Sequence, residues 1–169
     1  MQYSQYDGIN IGSGQHYREG WWNTDITPTD KGTQPDQLID IMQFPREFPH
    51  KAFKKAYVGH VLEHIYVYDL SAAIQAIAHT AETVMVVGPC LYKAQETQQP
   101  ASLINAIKAP ITLDDHPWSH KWTPTTAATA AAITQAGYKP IIVDVADVTI
   151  PEWPNPTTAP WQCAMWFTT

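Results

Sequence analysis

The tightest constraint on the fold lies near the start of the chain. A short apolar run, Gly8 to Ile11, enters Gly12-Ser13-Gly14, and an acidic residue, Asp25, follows Gly14 by only eleven positions. A buried strand meeting a glycine turn is how an open α/β sheet begins. Outside the carboxyl ends of its strands, backbone N–H groups can approach an anionic or polar ligand. A dinucleotide fingerprint would place a third Gly or Ala three residues after Gly14 and an acid about 20 residues on. Tyr17 holds the first of those positions and Asp25 arrives too early, so NAD is disfavoured. No Gly-Lys-Ser/Thr follows, which excludes a Walker phosphate loop.

The rest of the pattern extends this opening. A second strand fits "WWNTDI", ending near Asp25, and Thr27 to Gln37 is rich in turn formers and reads as a loop before "LIDI". "FPREFPHKAF" is predicted to be loop, with Pro45 and Pro49 opposing regular structure, and a strand follows at Ala56 to Val58. Leu70, Ile74 and Ile77 recur three or four apart, which predicts an amphipathic helix over Asp69 to Thr83. "TVMVVGP" is continuously apolar, as a strand covered on both faces must be. From Cys90 to Trp122 the only expected element is a short helix at "PASLINAIKA". Thr123 as N-cap, Pro124 at N1 and Gly137 at C′ delimit a further helix. "KPIIVDVADV" and "WQCAMWFTT" read as two last strands, joined by a connection too short for a crossover and therefore antiparallel. Strands alternating with helices in one 169-residue domain predict an open, mostly parallel sheet.

Composition narrows the partners. A formal charge of −6 argues against broad binding to nucleic acid, which needs a surplus of Lys and Arg facing the phosphates. The one basic cluster, His50 to Lys55, reads as a solvated face. Cys90 and Cys163 are far apart and outside any zinc-type spacing, so an intracellular, reduced, cytoplasmic protein is expected. No secretory leader and no membrane span are expected either.

Three ordered blocks, "INIGSGQHYREGWWNTDI", "IDIMQFP" and "AYVGHVLEHI", resemble the compact class I S-adenosylmethionine-dependent methyltransferases, a small methyltransferase-11-like group with GSG…GWxNxDI and HVLEH strings. The resemblance extends through "HPWSHKWTPTTAATAAAITQAGYK" and so covers nearly the whole chain. It implies a Rossmann-like class I methyltransferase fold, a mostly parallel sheet with an antiparallel C-terminal strand, and a first crossover helix replaced by a tight loop closed at Gly20. It implies S-adenosylmethionine as cofactor. Gly12, Ser13 and Gly14 match the turn under its amino acid end, and Asp25 the acceptor for both ribose hydroxyls. Asp40 and Ile41 match the adenine position, and His60, Val61 and Leu62 the wall near the sulfonium. Asp25 and Asp40 could instead cap turns, and His60 could be a structural histidine.

Methyl transfer is an in-line displacement in which the protein mainly supplies alignment. A hydroxyl or ammonium acceptor also needs a base, for which His64, His116 and His120 are the candidates, ahead of Glu63. The two Asp and two His of "DDHPWSHKW" are irregularly spaced, so no metal site is assigned. No Asn/Asp-Pro-Pro-aromatic string follows the fourth strand, which disfavours DNA amino-methylation. The expected function is methylation of a small-molecule or saccharide-like acceptor. The first strand begins so early that the acceptor site is expected to be open or completed by another subunit, in a homodimer or with a partner. The alternatives are a non-catalytic cofactor-binding partner protein and an enzyme that cleaves the cofactor.

Overall fold

A computed structural model describes residues 3–107, 119–143 and 162–169. Among the described residues, seven strands form one sheet: β1 (Ile9–Ile11), β2 (Trp22–Asp25), β3 (Gln37–Leu38), β4 (Phe53–Gly59), β5 (Ala81–Pro89), β6 (Ile141–Val143) and β7 (Gln162–Thr168). Their order is β3-β2-β1-β4-β5-β7-β6. The first five are mutually parallel, and β7 lies antiparallel between β5 and β6. Strand order therefore reverses between β1 and β4, which places the crevice of an open α/β sheet beside the ends of those two strands.

Five helices are described: α1 (Phe44–Glu47), α2 (Val67–Thr80), α3 (Leu91–Glu96), α4 (Ala101–Ile107) and α5 (Thr126–Gln135). Helix α2 buries Leu70, Ile74 and Ile77, the stripe that its periodicity predicts. These side chains join Ile9, Ile11, Phe44, Val58, Val84, Ile133 and Phe167 in the main core. The alternate residues of β5, Met85 and Val87, face the opposite side and meet Trp21 and Ala164 in a smaller cluster. The continuous apolar run of β5 thus reflects packing on both faces.

Neither residues 12–21, between β1 and β2, nor residues 26–36, between β2 and β3, contain a helix. Side chains stabilise the first connection instead. Asn23, fully buried on β2, accepts from Asn10 Nδ2 (2.9 Å) and Arg18 N (2.8 Å) through Oδ1. Its Nδ2 donates to the carbonyls of Arg18 (2.9 Å) and Trp21 (2.7 Å). Asn10 Nδ2 also donates to the His16 carbonyl (3.0 Å). Two asparagines thereby satisfy backbone groups that a crossover helix would have satisfied internally.

Four local expectations are corrected. Residues 44–47 are helical rather than loop, because Pro45 falls in the first turn, where a missing N–H costs nothing. Helix α3 has too few residues to show a periodicity and was not expected. The N-cap of α5 is Thr125, whose Oγ1 accepts from Ala128 N (3.1 Å); the Pro124 carbonyl is taken by Leu91 N of α3. Lys51 is not a solvated charge, since its Nζ donates to the carbonyls of Ala78 (2.9 Å) and Ala81 (3.0 Å).

Candidate active site

Beyond the ends of β1 and β4, two adjoining cavities of about 1170 and 360 Å³ share Gly12, Thr27, His60 and His64 in their walls. The larger takes in Ser13, Gly14, Tyr57 and Gln162; the smaller takes in Asp25, Asp40, Ile41, Val61, Tyr66 and Lys121. Together they form one cleft along the sheet's carboxyl edge.

Gly12 has φ +68°, and a Cβ built there would lie 2.2 Å from Val61 Cγ2. The glycine is required twice over, by its backbone conformation and by the close approach of β4's following segment. Ser13 is 1 % exposed and its hydroxyl has no hydrogen-bond partner among the described residues. Such a buried, unmatched hydroxyl beside a cavity suits a polar ligand group.

Asp25 ends β2, almost fully buried. Its Oδ2 accepts from Gly14 N (2.8 Å) and its Oδ1 from Thr27 N (3.1 Å). The carboxylate ties the glycine turn to the next loop while retaining further lone pairs for a ligand diol. Asp40 Oδ1 accepts from Met42 N (2.8 Å), capping the 3-10 turn at Ile41–Gln43, and Asp40 also lines the smaller cavity. The capping and lining positions are thus compatible at this residue.

His60 follows β4 with φ +57°, a left-handed conformation unusual for a residue with a Cβ. Its backbone N donates to the Val87 carbonyl (2.8 Å), which locks the turn, and its Nε2 lies 2.6 Å from Gln162 Nε2 on β7. Strain held in place this way clusters at functional sites. Val61 lines the smaller cavity, whereas Leu62 is buried in the main core and lines neither. Of His60, Val61 and Leu62, expected together as a wall, the first two line the cleft and Leu62 does not.

His64 and His120 lie side by side, ring centroids 5.0 Å apart at an interplanar angle of 65°. Two bonds dock the second segment on the first: Lys121 N to the Glu63 carbonyl (2.7 Å) and Trp122 Nε1 to the Leu62 carbonyl (3.0 Å). Burial pulls the His64 imidazole below its ordinary value, against the opposing pull of Glu63. His116 lies outside the described residues. Burial pushes the Tyr57 phenol up to about 12, so at neutral pH it can donate a hydrogen bond but not act as a base.

Asn10, Asn23, Tyr57 and Gln162 escaped sequence reasoning. Of these, only Asn23 carried a signal, as the Asn inside "GWWNTDI".

No family model matches the chain, and no curated protein matches it. Solved structures do match in fold. A SAM-dependent methyltransferase from Archaeoglobus fulgidus superposes with TM-score 0.61 at 14% identity, over 99% of this chain and 87% of that one. The 1,6-didemethyltoxoflavin-N1-methyltransferase of Burkholderia thailandensis, solved with its substrate and S-adenosylhomocysteine, gives 0.57 at 10% identity, over 96% of this chain and 70% of that one. The CurJ carbon methyltransferase gives 0.54 at 12% identity, and this chain spans 47% of its length. The sheet described above is therefore the sheet of class I methyltransferases.

Proposed function

We propose that this chain, which has the class I methyltransferase fold, binds S-adenosylmethionine in the cleft and transfers its methyl group to a small-molecule or saccharide-like acceptor. The observation that carries the reading is the Gly12-Ser13-Gly14 turn tied to Asp25 by the 2.8 Å bond from Gly14 N. One end of that pair presents a cradle that a Cβ would fill and an unmatched buried hydroxyl; the other presents a carboxylate suited to a vicinal diol. The two ends match the two polar ends of the cofactor.

When bound, S-adenosylmethionine supplies a methyl group on a positively charged sulfur. The chain's own part is orientation. Asp25 holds the ribose, Asp40 and Ile41 flank the adenine, and His60 with Val61 closes the side toward β4. Orientation of this kind contributes roughly 7–11 kcal/mol to well-aligned displacements. His64 lines both cavities and His120 packs against its ring, and these two are the side chains that would act on an acceptor. No helix among the described residues is long and apolar enough to cross a membrane. A cytoplasmic location remains part of the proposal.

Calorimetric titration of wild type and Asp25→Ala with S-adenosylmethionine and S-adenosylhomocysteine tests the reading. Wild type should bind at about 1–100 μM, or roughly 5.5–8 kcal/mol. The variant should lose on the order of 100-fold, since each hydrogen bond to a charged group contributes about 1.5–3 kcal/mol. A wild type that binds neither compound would overturn the proposal. Binding without methyl transfer to any acceptor would favour a cofactor-binding partner protein.

A further inference from the structure

Glu63, His64 and His120 can each offer one ligand atom such that all three lie within 4.8 Å of one another. Glu63 is 3 % exposed, and its Oε1 lies 3.4 Å from His60 Nδ1, at ion-pair distance but without hydrogen-bond alignment. Among the described residues, Glu63 Oε1, His64 Nδ1 and His120 Nδ1 are all buried with no hydrogen-bond partner. A carboxylate only accepts, and a neutral imidazole nitrogen without its proton does the same. A carboxylate and two imidazoles gathered in a buried space, each with a polar atom left without a hydrogen-bond partner among the described residues, suit a cation.

We propose that Glu63, His64 and His120 form a binding site for a divalent metal ion of the zinc class. Two imidazoles and one carboxylate suit zinc and the borderline transition metals, whereas calcium and magnesium prefer all-oxygen sets. Ligand atoms around a tetrahedral zinc ion sit about 3.3 Å apart, as bonds of 2.0–2.1 Å require. Small side-chain rotations would therefore close the site. Supporting groups are already in place. The His64 and His120 rings already stand edge to face, with centroids 5.0 Å apart. His60 flanks the Glu63 carboxylate, and the Lys121 and Trp122 bonds hold His120 in position.

Three protein ligands leave a coordination position open, and of the three His64 lines both cavities, which sets the site at the wall of the cleft. Its role rests on the methyltransferase reading; the metal site itself does not. The open position would take the hydroxyl oxygen of an acceptor. The bound hydroxyl loses its proton to water, and its oxygen forms the new bond to the methyl carbon. The carbon–sulfur bond breaks, and its electron pair stays on sulfur as a neutral thioether. In this arrangement His64 and His120 are ligands, and the metal takes over the task of a base.

Cobalt(II) titration of tag-free protein, without S-adenosylmethionine, provides the test. One equivalent should give the visible bands of four- or five-coordinate cobalt, and zinc should displace it. Glu63→Gln and His120→Ala should each weaken binding by at least ~100-fold, the upper end of what loss of an outer partner costs. Thermal melts of the metal-free variants establish that they fold, and the isosteric Glu63→Gln keeps the test valid should His120→Ala not. His50→Ala, which removes an exposed imidazole at the other end of the sheet, should bind as wild type does. Absence of cobalt bands and zinc heats in wild type would overturn the site. So would binding that survives Glu63→Gln, or that disappears in His50→Ala. S-adenosylhomocysteine titration of the same metal-free protein reports on the cofactor separately, so either idea can fail alone.

Discussion

The two ends of the sheet are built on opposite terms. At the amino ends of β4 and β5, Lys51 donates to the carbonyls of Ala78 and Ala81 and to the hydroxyl of Thr169, drawing helix α2, strand β5 and strand β7 together. Burial there pulls the Lys51 ammonium below its ordinary value, yet its donors are matched by acceptors. At the carboxyl ends, His60 holds a left-handed backbone, and Ser13, Glu63, His64 and His120 carry buried polar atoms without partners among the described residues. Satisfied polar groups stabilise a fold, whereas unsatisfied ones lower its stability and await a ligand. One end of this molecule has its buried polar groups matched, and the other leaves several of them unmatched beside a cleft.

Substitutions should separate the two ends. The largest effect is expected for Gly12→Val. Left-handed strain of roughly 1–2 kcal/mol and a steric penalty of about 1–3 kcal/mol against Val61 both fall on the cofactor turn. Affinity for S-adenosylhomocysteine should drop on the order of 100-fold by calorimetry; a drop below tenfold would mean that the turn does not carry the ligand. Lys51→Met should do the reverse, lowering unfolding free energy in urea by about 1–3 kcal/mol while cofactor affinity stays unchanged. If both measurements moved together, the division between the ends would be broken. The smallest effect is expected for His60→Gly, which relieves left-handed strain of about 1 kcal/mol. Its thermal midpoint should rise by roughly 2–4 °C while methyl transfer falls, and a lower midpoint would show that His60 serves stability rather than the site.

Legibility in the sequence followed the range of the interactions. Strands β1, β2 and β5 and helix α2 were readable because each has a local signal: a glycine turn, an apolar run or a helical period. Helix α1 was not, because Pro45 opposes a helix everywhere except in its first turn, and position within the element is not written in the residue itself. Asp25, which the resemblance marks as a candidate site residue, lines the smaller cavity. Gln162 was not readable, since it reaches His60 only through the β5–β7 pairing, 102 positions away.

The same division holds for the candidate site. Residue order alone signalled the alternation of strands and helices, the glycine turn and the acid that ends β2, because each is a pattern within one turn, strand or helix; the missing first crossover helix came with the family resemblance. Tertiary structure decided the rest. It placed Leu62 in the core, made Asp40 both a cap and a wall, and brought His120 against His64 through bonds from Lys121 and Trp122. Chain entropy leaves distant residues uncorrelated until the sheet orders them. A constellation assembled across the sheet's edge therefore exists only in the folded chain.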